Sequence, residues 1–521
     1  MLFRSALAVL SPLAGMAVEM ALAWRFGTSP TVDAFRIGAV FLLLGQQFLV
    51  LQILPHIIVP VFTECRAQAG EQEAWQVALS LGNVFLGATL AFALLVFIWP
   101  EALVWLFASG LTGPARETAV VFLRWFGLAY IPLVLSGLAT SVLYVYGVFW
   151  LPSLAQFVSN VVMAGVILAT GRFPAVMVLI TAVLLASVLG AALHGVKFLP
   201  LMRRVGARLP HRLNTRHPAV GRGLALGVPL LGTFALGQWA AIVVVRVLSG
   251  LPPGSLAMFG YAFKMGLLVS LVPASLATVL FPKFAQEGLT AETGEFRVLC
   301  TRALRMALFL AVPLTACLYV LREPLVVVLF ERGSFSAEAT RMVSRLFGLL
   351  VLGAPAALLA LFLEKMLYAL EKAWLPTWVR LASVLLLTAL APVTAARLGT
   401  DGLALLLSIL AWGSALALFL ALNRRHGALA LKEILPFTAQ MVLLGGLCAW
   451  LGGELGRWLG RSSEVPLISA ILACAGGFAL GVTLFFAGAM ALQLAEAVDC
   501  SRYLRWQGNA LMRWVQGAVG G

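Results

Sequence analysis

Stretches of about twenty apolar residues recur fourteen times along this chain, near 5–25, 36–58, 78–99, 120–146, 151–171, 174–196, 223–248, 258–281, 303–321, 342–369, 377–396, 402–422, 434–455 and 465–492. A helix of roughly 20 residues crosses the ~30 Å hydrocarbon core of a bilayer. Within that core every backbone polar group must find its partner in its own segment, so runs of this kind form helices. Composition points the same way. Hydrophobic residues are 62% of the 521, charged residues 11%, and mean hydropathy is +1.00, against about 45–50% and 25% in a soluble domain. The expected fold is an all-α polytopic membrane protein with about fourteen transmembrane helices.

The charges orient it. Lys and Arg number 36 against 21 Asp and Glu, a net charge of +15. Between spans six and seven lie Lys197, Arg203, Arg204, Arg208, Arg212, Arg216 and Arg222 with no acid, and Arg424, Arg425 and Lys432 follow span twelve. The positive-inside rule places these loops in the cytoplasm, and an even number of spans puts both termini there too. An RNA or partner site is the other reading of the basic loop, but charge bias explains it without further assumption, so no nucleic-acid partner is expected. The tail, with Arg502, Tyr503, Arg505, Trp506, Arg513 and Trp514, reads as an amphipathic helix at the membrane interface. The opening Met1-Leu2-Phe3-Arg4 runs straight into apolar sequence, which predicts a first span and not a removed signal peptide.

The two halves repeat at a lag of 217–224 residues. Ser11-Pro12-Leu13 matches Val228-Pro229-Leu230, and Val59-Pro60-Val61-Phe62 matches Phe281-Pro282-Lys283-Phe284. Leu106-Phe107-Ala108-Ser109-Gly110 matches Leu329-Phe330-Glu331-Arg332-Gly333, and Arg124-Trp125-Phe126-Gly127 matches Arg345-Leu346-Phe347-Gly348. Leu143-Tyr144 with Trp150-Leu151-Pro152 matches Leu367-Tyr368 with Trp374-Leu375-Pro376. The expected organisation is a first six-helix bundle (1–200), a basic cytoplasmic linker (201–222), a second bundle (223–425), a two-helix extension (426–495) and the interfacial tail (496–521). Six is even, so the repeat is parallel, and two bundles that rock against each other are transporter architecture.

Polar groups inside the spans need a reason, since an ionisable side chain at the bilayer centre costs at least about 2.5–3.5 kcal/mol. Glu19 lies on span one, Gln46, Gln47, Gln52 and His56 on span two, Gln238 on span seven and Lys264 on span eight. Glu19, Gln46, Gln47, Gln52, Gln238 and Lys264 are the candidate lining of a substrate cavity. The competing readings are helix–helix hydrogen bonding for the glutamines and a mutual buried ion pair for Glu19 and Lys264. Gln156 and Asn160 read as packing contacts, and His194 as a solvated group near a cytoplasmic end. Arg124 and Arg345 hold equivalent places near the outer ends of spans four and ten, as interfacial anchors or an outer gate. The six cysteines show no CxxC and the five histidines no metal-ligand spacing, so neither cofactor nor metal is expected. No Walker A, HExxH or GxSxG motif occurs, so an enzyme is not expected.

The chain resembles the MviN/MurJ family of lipid II flippases, within the multidrug/oligosaccharidyl-lipid/polysaccharide exporter superfamily. The resemblance is carried by Arg25-Phe26-Gly27 with Val32-Asp33-Ala34-Phe35, by Val59-Pro60-Val61-Phe62 through Gly70-Glu71, by Tyr261-Ala262-Phe263-Lys264-Met265 through Leu280-Phe281-Pro282, and by Phe330-Glu331-Arg332-Gly333-Ser334-Phe335. It implies a bacterial inner-membrane protein that carries a lipid-linked oligosaccharide from the cytoplasmic to the outer leaflet by alternating access, with membrane lipids and envelope-synthesis proteins as partners. It also implies cavity arginines that meet a pyrophosphate, and there this chain departs. Val18-Glu19 keeps the acid of span one without the arginine; Gln46-Gln47 and Leu51-Gln52 replace the arginines of span two; Lys264 stands near the arginine of span eight. Losing guanidinium forks weakens pyrophosphate capture, which suggests retuning toward another lipid-linked glycan. A cation-coupled drug exporter and a non-transporting subunit of an envelope assembly complex are the alternatives.

Overall fold

The computed structural model describes residues 2–171, 173–206, 218–269, 294–370, 372, 374–426 and 431–498. Arg208, Arg212 and Arg216 of the basic linker, Leu280-Phe281-Pro282 of the second repeat, and the tail from Arg502 to Trp514 lie outside them. Regular structure among the described residues is helical throughout. Ten helices there are long and apolar enough to cross a membrane, the first Pro30–Ala69 and the last Pro466–Ala491, and Ala235–Leu248 is a shorter apolar helix. The chain is an all-α polytopic membrane protein.

The chain divides into two compact units. The first comprises Met1–Lys264, Phe330–Ala339 and Val384–Leu403. Its helices are α1 (Leu2–Phe26), α2 (Pro30–Gly45), a π-helical stretch (Gln46–Ile53), α3 (Leu54–Ala69), α4 (Glu71–Ile98), α5 (Pro100–Ala108), α6 (Gly113–Val145), α7 (Trp150–Ala169), α8 (Ala175–Arg204), α9 (Pro218–Leu248) and the start of α10 (Ser255–Val269). Proline sits in the first turn of α2, α5 and α6, where the missing N–H is one that no helix satisfies. α1 packs on α7, and α2 on α6. The α2–α6 contact is close because position 38 is glycine: a Cβ there would lie 2.6 Å from the Phe126 ring. Phe35 meets Phe122 and Phe126 edge-on, at 5.8 and 5.9 Å between centroids.

The second unit comprises Met265–Leu329, Thr340–Ser383 and Ala404–Gly521. It contains α11 (Gly294–Val320), α12 (Arg322–Phe330) up to Leu329, most of α13 (Ala337–Val351), α14 (Ala354–Ala369), the ends of α15 (Trp374–His426), α16 (Leu431–Gly460) and α17 (Pro466–Ala491). Its core joins α11, α14, α16 and α17 around Phe309, Phe362, Phe437 and Phe485. α16 and α17 touch along small residues: a Cβ on Gly456 would lie 2.6 Å from the Ala473 carbonyl, and Gly452 lies against Gly477. Lipid tails are as apolar as leucine, so helices in a bilayer gain by letting backbones approach in this way. After α17, Gln493 takes φ 52° and the chain folds back, so that Glu496, itself buried, accepts from Arg305 Nε of α11 at 2.6 Å.

Candidate functional site

Polar side chains of the first unit gather where α1, α2, α7 and α10 meet. Asp33, in the first turn of α2, is buried and turns toward the start of α10. Its carboxylate accepts from the Gly254 N–H and, at 2.7 Å, from the Ala257 N–H. It therefore supplies from a different helix the acceptor that the free N–H groups of a helix start require. Gly254 has φ +91°, a conformation that glycine adopts without strain.

Arg36 lies three residues on, on the same face of α2. Its guanidinium donates through both terminal nitrogens to the Glu19 carboxylate, with Nη1 to Oε1 at 3.0 Å. The cation also lies 4.8 Å from the centre of the Tyr261 ring, the attraction expected of a cation over an aromatic face. Gly260 makes room for it: a Cβ there would come within 2.7 Å of Arg36 Nε. Glu19 is 7% exposed. Its partner is thus Arg36 and not Lys264, and the mutual Glu19–Lys264 pair is absent.

Lys264 lies one turn along α10 from Tyr261. A Cβ on Gly15 would stand 3.6 Å from Lys264 Nζ and 3.6 Å from Asn160 Nδ2, so ammonium and amide converge over the bare backbone of α1. From there a hydrogen-bonded chain runs across α7. Asn160 Nδ2 donates to the Ser11 carbonyl at 3.2 Å, Gln156 Nε2 to Asn160 Oδ1 at 3.3 Å, and Gln46 Nε2 to Gln156 Oε1. Gln156 and Asn160, expected as packing contacts, are the links of this chain. Gln46 opens the π-helical stretch, which also holds Gln47 and Gln52. Such stretches disturb the carbonyl ladder, and Tyr130 donates to the Phe41 carbonyl just before it at 2.6 Å.

The remaining expected residues lie apart from this junction. Gln47 is exposed, Gln238 is half-buried on α9, and the Gln52 side chain is outside the described set. Arg124 faces Glu101 at 3.8 Å on the surface of the first unit, and Arg345 is exposed on α13. His194 corrects its expectation: it is buried on α8, with Nδ1 2.7 Å from the Gly190 carbonyl. Among the described residues no cluster of three potential metal ligands occurs.

Beside the junction, the motifs of the two halves dock on one another. The Ser334 N–H donates to the Trp24 carbonyl at 2.8 Å, and Ser334 Oγ to the Arg25 carbonyl at 3.0 Å. Gly27 (φ +57°) lies against the Ser334 carbonyl and Gly333 (φ +60°) against that of Trp24, and neither leaves space for a Cβ. The Tyr261 hydroxyl donates to the Gly27 carbonyl at 2.8 Å, and its ring meets Phe330 and Phe335 at 5.0 and 5.6 Å. Arg25 donates from Nη1 to the Ile167 carbonyl at 2.5 Å and to Thr170 Oγ1 at 3.0 Å, capping the end of α7.

Arg36 and the capping role of Asp33 are what sequence reasoning missed. Both sit at the edge of span two, where a charge normally needs no buried partner. The available signal was Glu19 itself, since a carboxylate deep in a span demands a cation, and Arg36 shares the face of α2 that Asp33 defines.

The family model described as "Lipid II flippase MurJ" matches residues 22–466. The chain is similar to the lipid II flippase MurJ of Burkholderia cenocepacia, 28% identical over 491 residues that cover 91% of this chain and 94% of the relative. It is similar also to the probable lipid II flippase MurJ of Rhizobium tropici, 25% identical over 480 residues, 89% and 88% of the two chains. Among solved structures, a lipid II flippase MurJ in an inward closed conformation matches with a TM-score of 0.80 at 19% identity, covering 94% of this chain and all (100%) of that one. An inward-facing MATE-family multidrug resistance transporter of the MOP superfamily matches with a TM-score of 0.65 at 14% identity, covering 82% and 98%.

Proposed function

The chain belongs to the lipid II flippase MurJ family, and from that premise we propose that it moves a polyprenyl-linked glycan precursor, lipid II or a related lipid-linked oligosaccharide, from the inner to the outer leaflet of a bacterial cytoplasmic membrane by alternating access. The observation that carries the reading is the junction of α1, α2, α7 and α10, where Lys264 and a chain of side-chain amides meet inside the membrane. An ammonium attracts the phosphate linkage of such a lipid as a point charge. The amides of Gln46, Gln156 and Asn160 offer donors and acceptors to sugar hydroxyls. Glu19 pairs with Arg36, and Asp33 is held by the N–H groups that open α10, so Lys264 is the junction's cation without a carboxylate partner among the described residues.

The full plan is fourteen spans, arranged as two six-helix bundles and a two-helix extension, with both termini in the cytoplasm. Support comes from α1 and α9, which fall on expected spans one and seven, and from α10 (Ser255–Val269), which covers the first part of span eight. It comes also from α15, one helix where two spans are expected, interrupted at Gly399 (φ 61°, ψ −144°). The docked Gly27 and Gly333 motifs belong to the outer end on this plan.

The test is rescue of a bacterium depleted of its own lipid II flippase. The expected result is growth with the wild-type chain and none with Lys264→Ala produced at equal level in the membrane. No rescue by the wild type, with lipid II accumulating inside, would favour a different lipid-linked glycan or a subunit that does not transport.

A further inference from the structure

One cation, Arg36, holds Glu19, and a second, Lys264, stands over the neighbouring turn of α1. In a helix the Cα–Cβ bonds tilt toward the N-terminus, so Glu19 leans over the turn of α1 that contains Gly15, four residues before it. Lys264 Nζ stands over Gly15. On α10, Tyr261 and Lys264 are three residues apart and share a face. The Glu19–Arg36–Tyr261 layer and the Gly15–Lys264–Asn160 layer are therefore stacked one turn apart, about 5–6 Å along the helices. A carboxylate in the first layer that lost its guanidinium would find the ammonium of the second as its nearest replacement. Among the described residues no carboxylate pairs with Lys264.

We propose that Arg36 is a positioning residue for the substrate site: by holding the Glu19 carboxylate in a two-point pair it keeps that carboxylate off Lys264 and leaves the ammonium to the anionic linkage of the lipid-linked glycan. The inference rests on the function proposed above. It is supported by how the terminal nitrogens and the guanidinium face of Arg36 are placed. Both terminal nitrogens are bound to Glu19, the Tyr261 ring lies under the cation, and position 260 carries no side chain to obstruct it. A planar fork matches a carboxylate better than an ammonium does, so Glu19 stays with Arg36 while both cations are present. Asp33, the other acid at the junction, is held by the Gly254 and Ala257 amides. Apart from Asp33, whose charge is met by those helix-start N–H groups, Glu19, Arg36 and Lys264 sum to one positive charge with Arg36 and to none without it.

The experiment compares wild type, Arg36→Met, Arg36→Lys and the double variant Arg36→Met/Glu19→Gln, each full-length and purified. Acetylation of Lys264 by an amine-reactive ester is followed by peptide mass spectrometry, and lipid II translocation is followed in vesicles. In Arg36→Met, the ion pair with Glu19 occupies the Lys264 amine and its acetylation slows severalfold; translocation is lost. In the double variant no carboxylate remains to capture Lys264, so acetylation and translocation both return toward wild type. Arg36→Lys, with charge but no fork, gives intermediate acetylation, and it serves in place of Arg36→Met should that variant fail to fold. A merely structural Arg36 predicts a double variant no better than the single one, and that result, or unchanged acetylation in folded Arg36→Met, overturns the proposal. A wild type that moves no lipid-linked glycan while the acetylation pattern holds would sink the function and leave the Arg36–Glu19–Lys264 relation standing.

Discussion

Asp33 shows how one side chain ties parts of the sequence more than two hundred residues apart. It belongs to α2, yet it accepts from N–H groups that open α10. Nothing local in α10 does this work, because the residue before the helix is Gly254, which has no side chain to turn back. Replacing Asp33 with alanine should cost about 1–2 kcal/mol, from a lost cap and a lost charge at a helix start. Asparagine should recover part of that, since its amide oxygen still accepts. Thermal unfolding in detergent checks both, and an unchanged midpoint for the alanine variant would contradict the capping role. At this scale the sequence was only partly legible. Lys264 and Glu19 stood out because a charge in an apolar run is conspicuous. Which cation Glu19 holds was not legible, because Arg36 lies at the margin of its span, where a charge has a solvent reading as well as a buried one.

Helices were the most legible level, since the lengths and spacing of apolar runs are imposed by the thickness of the hydrocarbon they cross. Their breaks were less so. α15 takes up two of the expected spans, and its interruption lies at Gly399, whose φ 61° and ψ −144° suit glycine alone. No atom lies within 4 Å of where a Cβ would stand, so the demand for glycine there is conformational and not steric. Gly399→Ala should therefore cost about 1–3 kcal/mol in backbone strain. The comparison is Gly413→Ala in the same helix, where there is also open space but no positive φ, and where stability should hold or rise slightly. Equal midpoints for the two variants would show that the break at Gly399 is not required. The π-helical stretch of span two was invisible in the sequence, because its apolar content is the same in either register.

Across the whole molecule, the internal repeat was legible in short motifs, but their meaning was not. Leu106-Phe107-Ala108-Ser109-Gly110 and Leu329-Phe330-Glu331-Arg332-Gly333 align as equivalents, yet the first ends against Ser249 and Gly250, where a Cβ on Gly110 would meet the Gly250 Cα at 2.5 Å, and the second docks on the end of α1. A repeat reveals common ancestry of two segments, while packing decides what each one touches. The same limit applies to the cavity. The family resemblance pointed to arginines at positions where this chain has none, and the structure puts one at the same junction from another position, Arg36 at the start of span two, bound to Glu19. The central claim is that Lys264 gives this junction the positive charge through which a lipid-linked glycan is carried. The most direct measurement is the initial rate of lipid II translocation in vesicles reconstituted with wild type, Lys264→Arg or Lys264→Ala. The account predicts transport by the wild type, retained in Lys264→Arg and reduced at least tenfold, about 1.4 kcal/mol, in Lys264→Ala; equal rates for wild type and Lys264→Ala would contradict it.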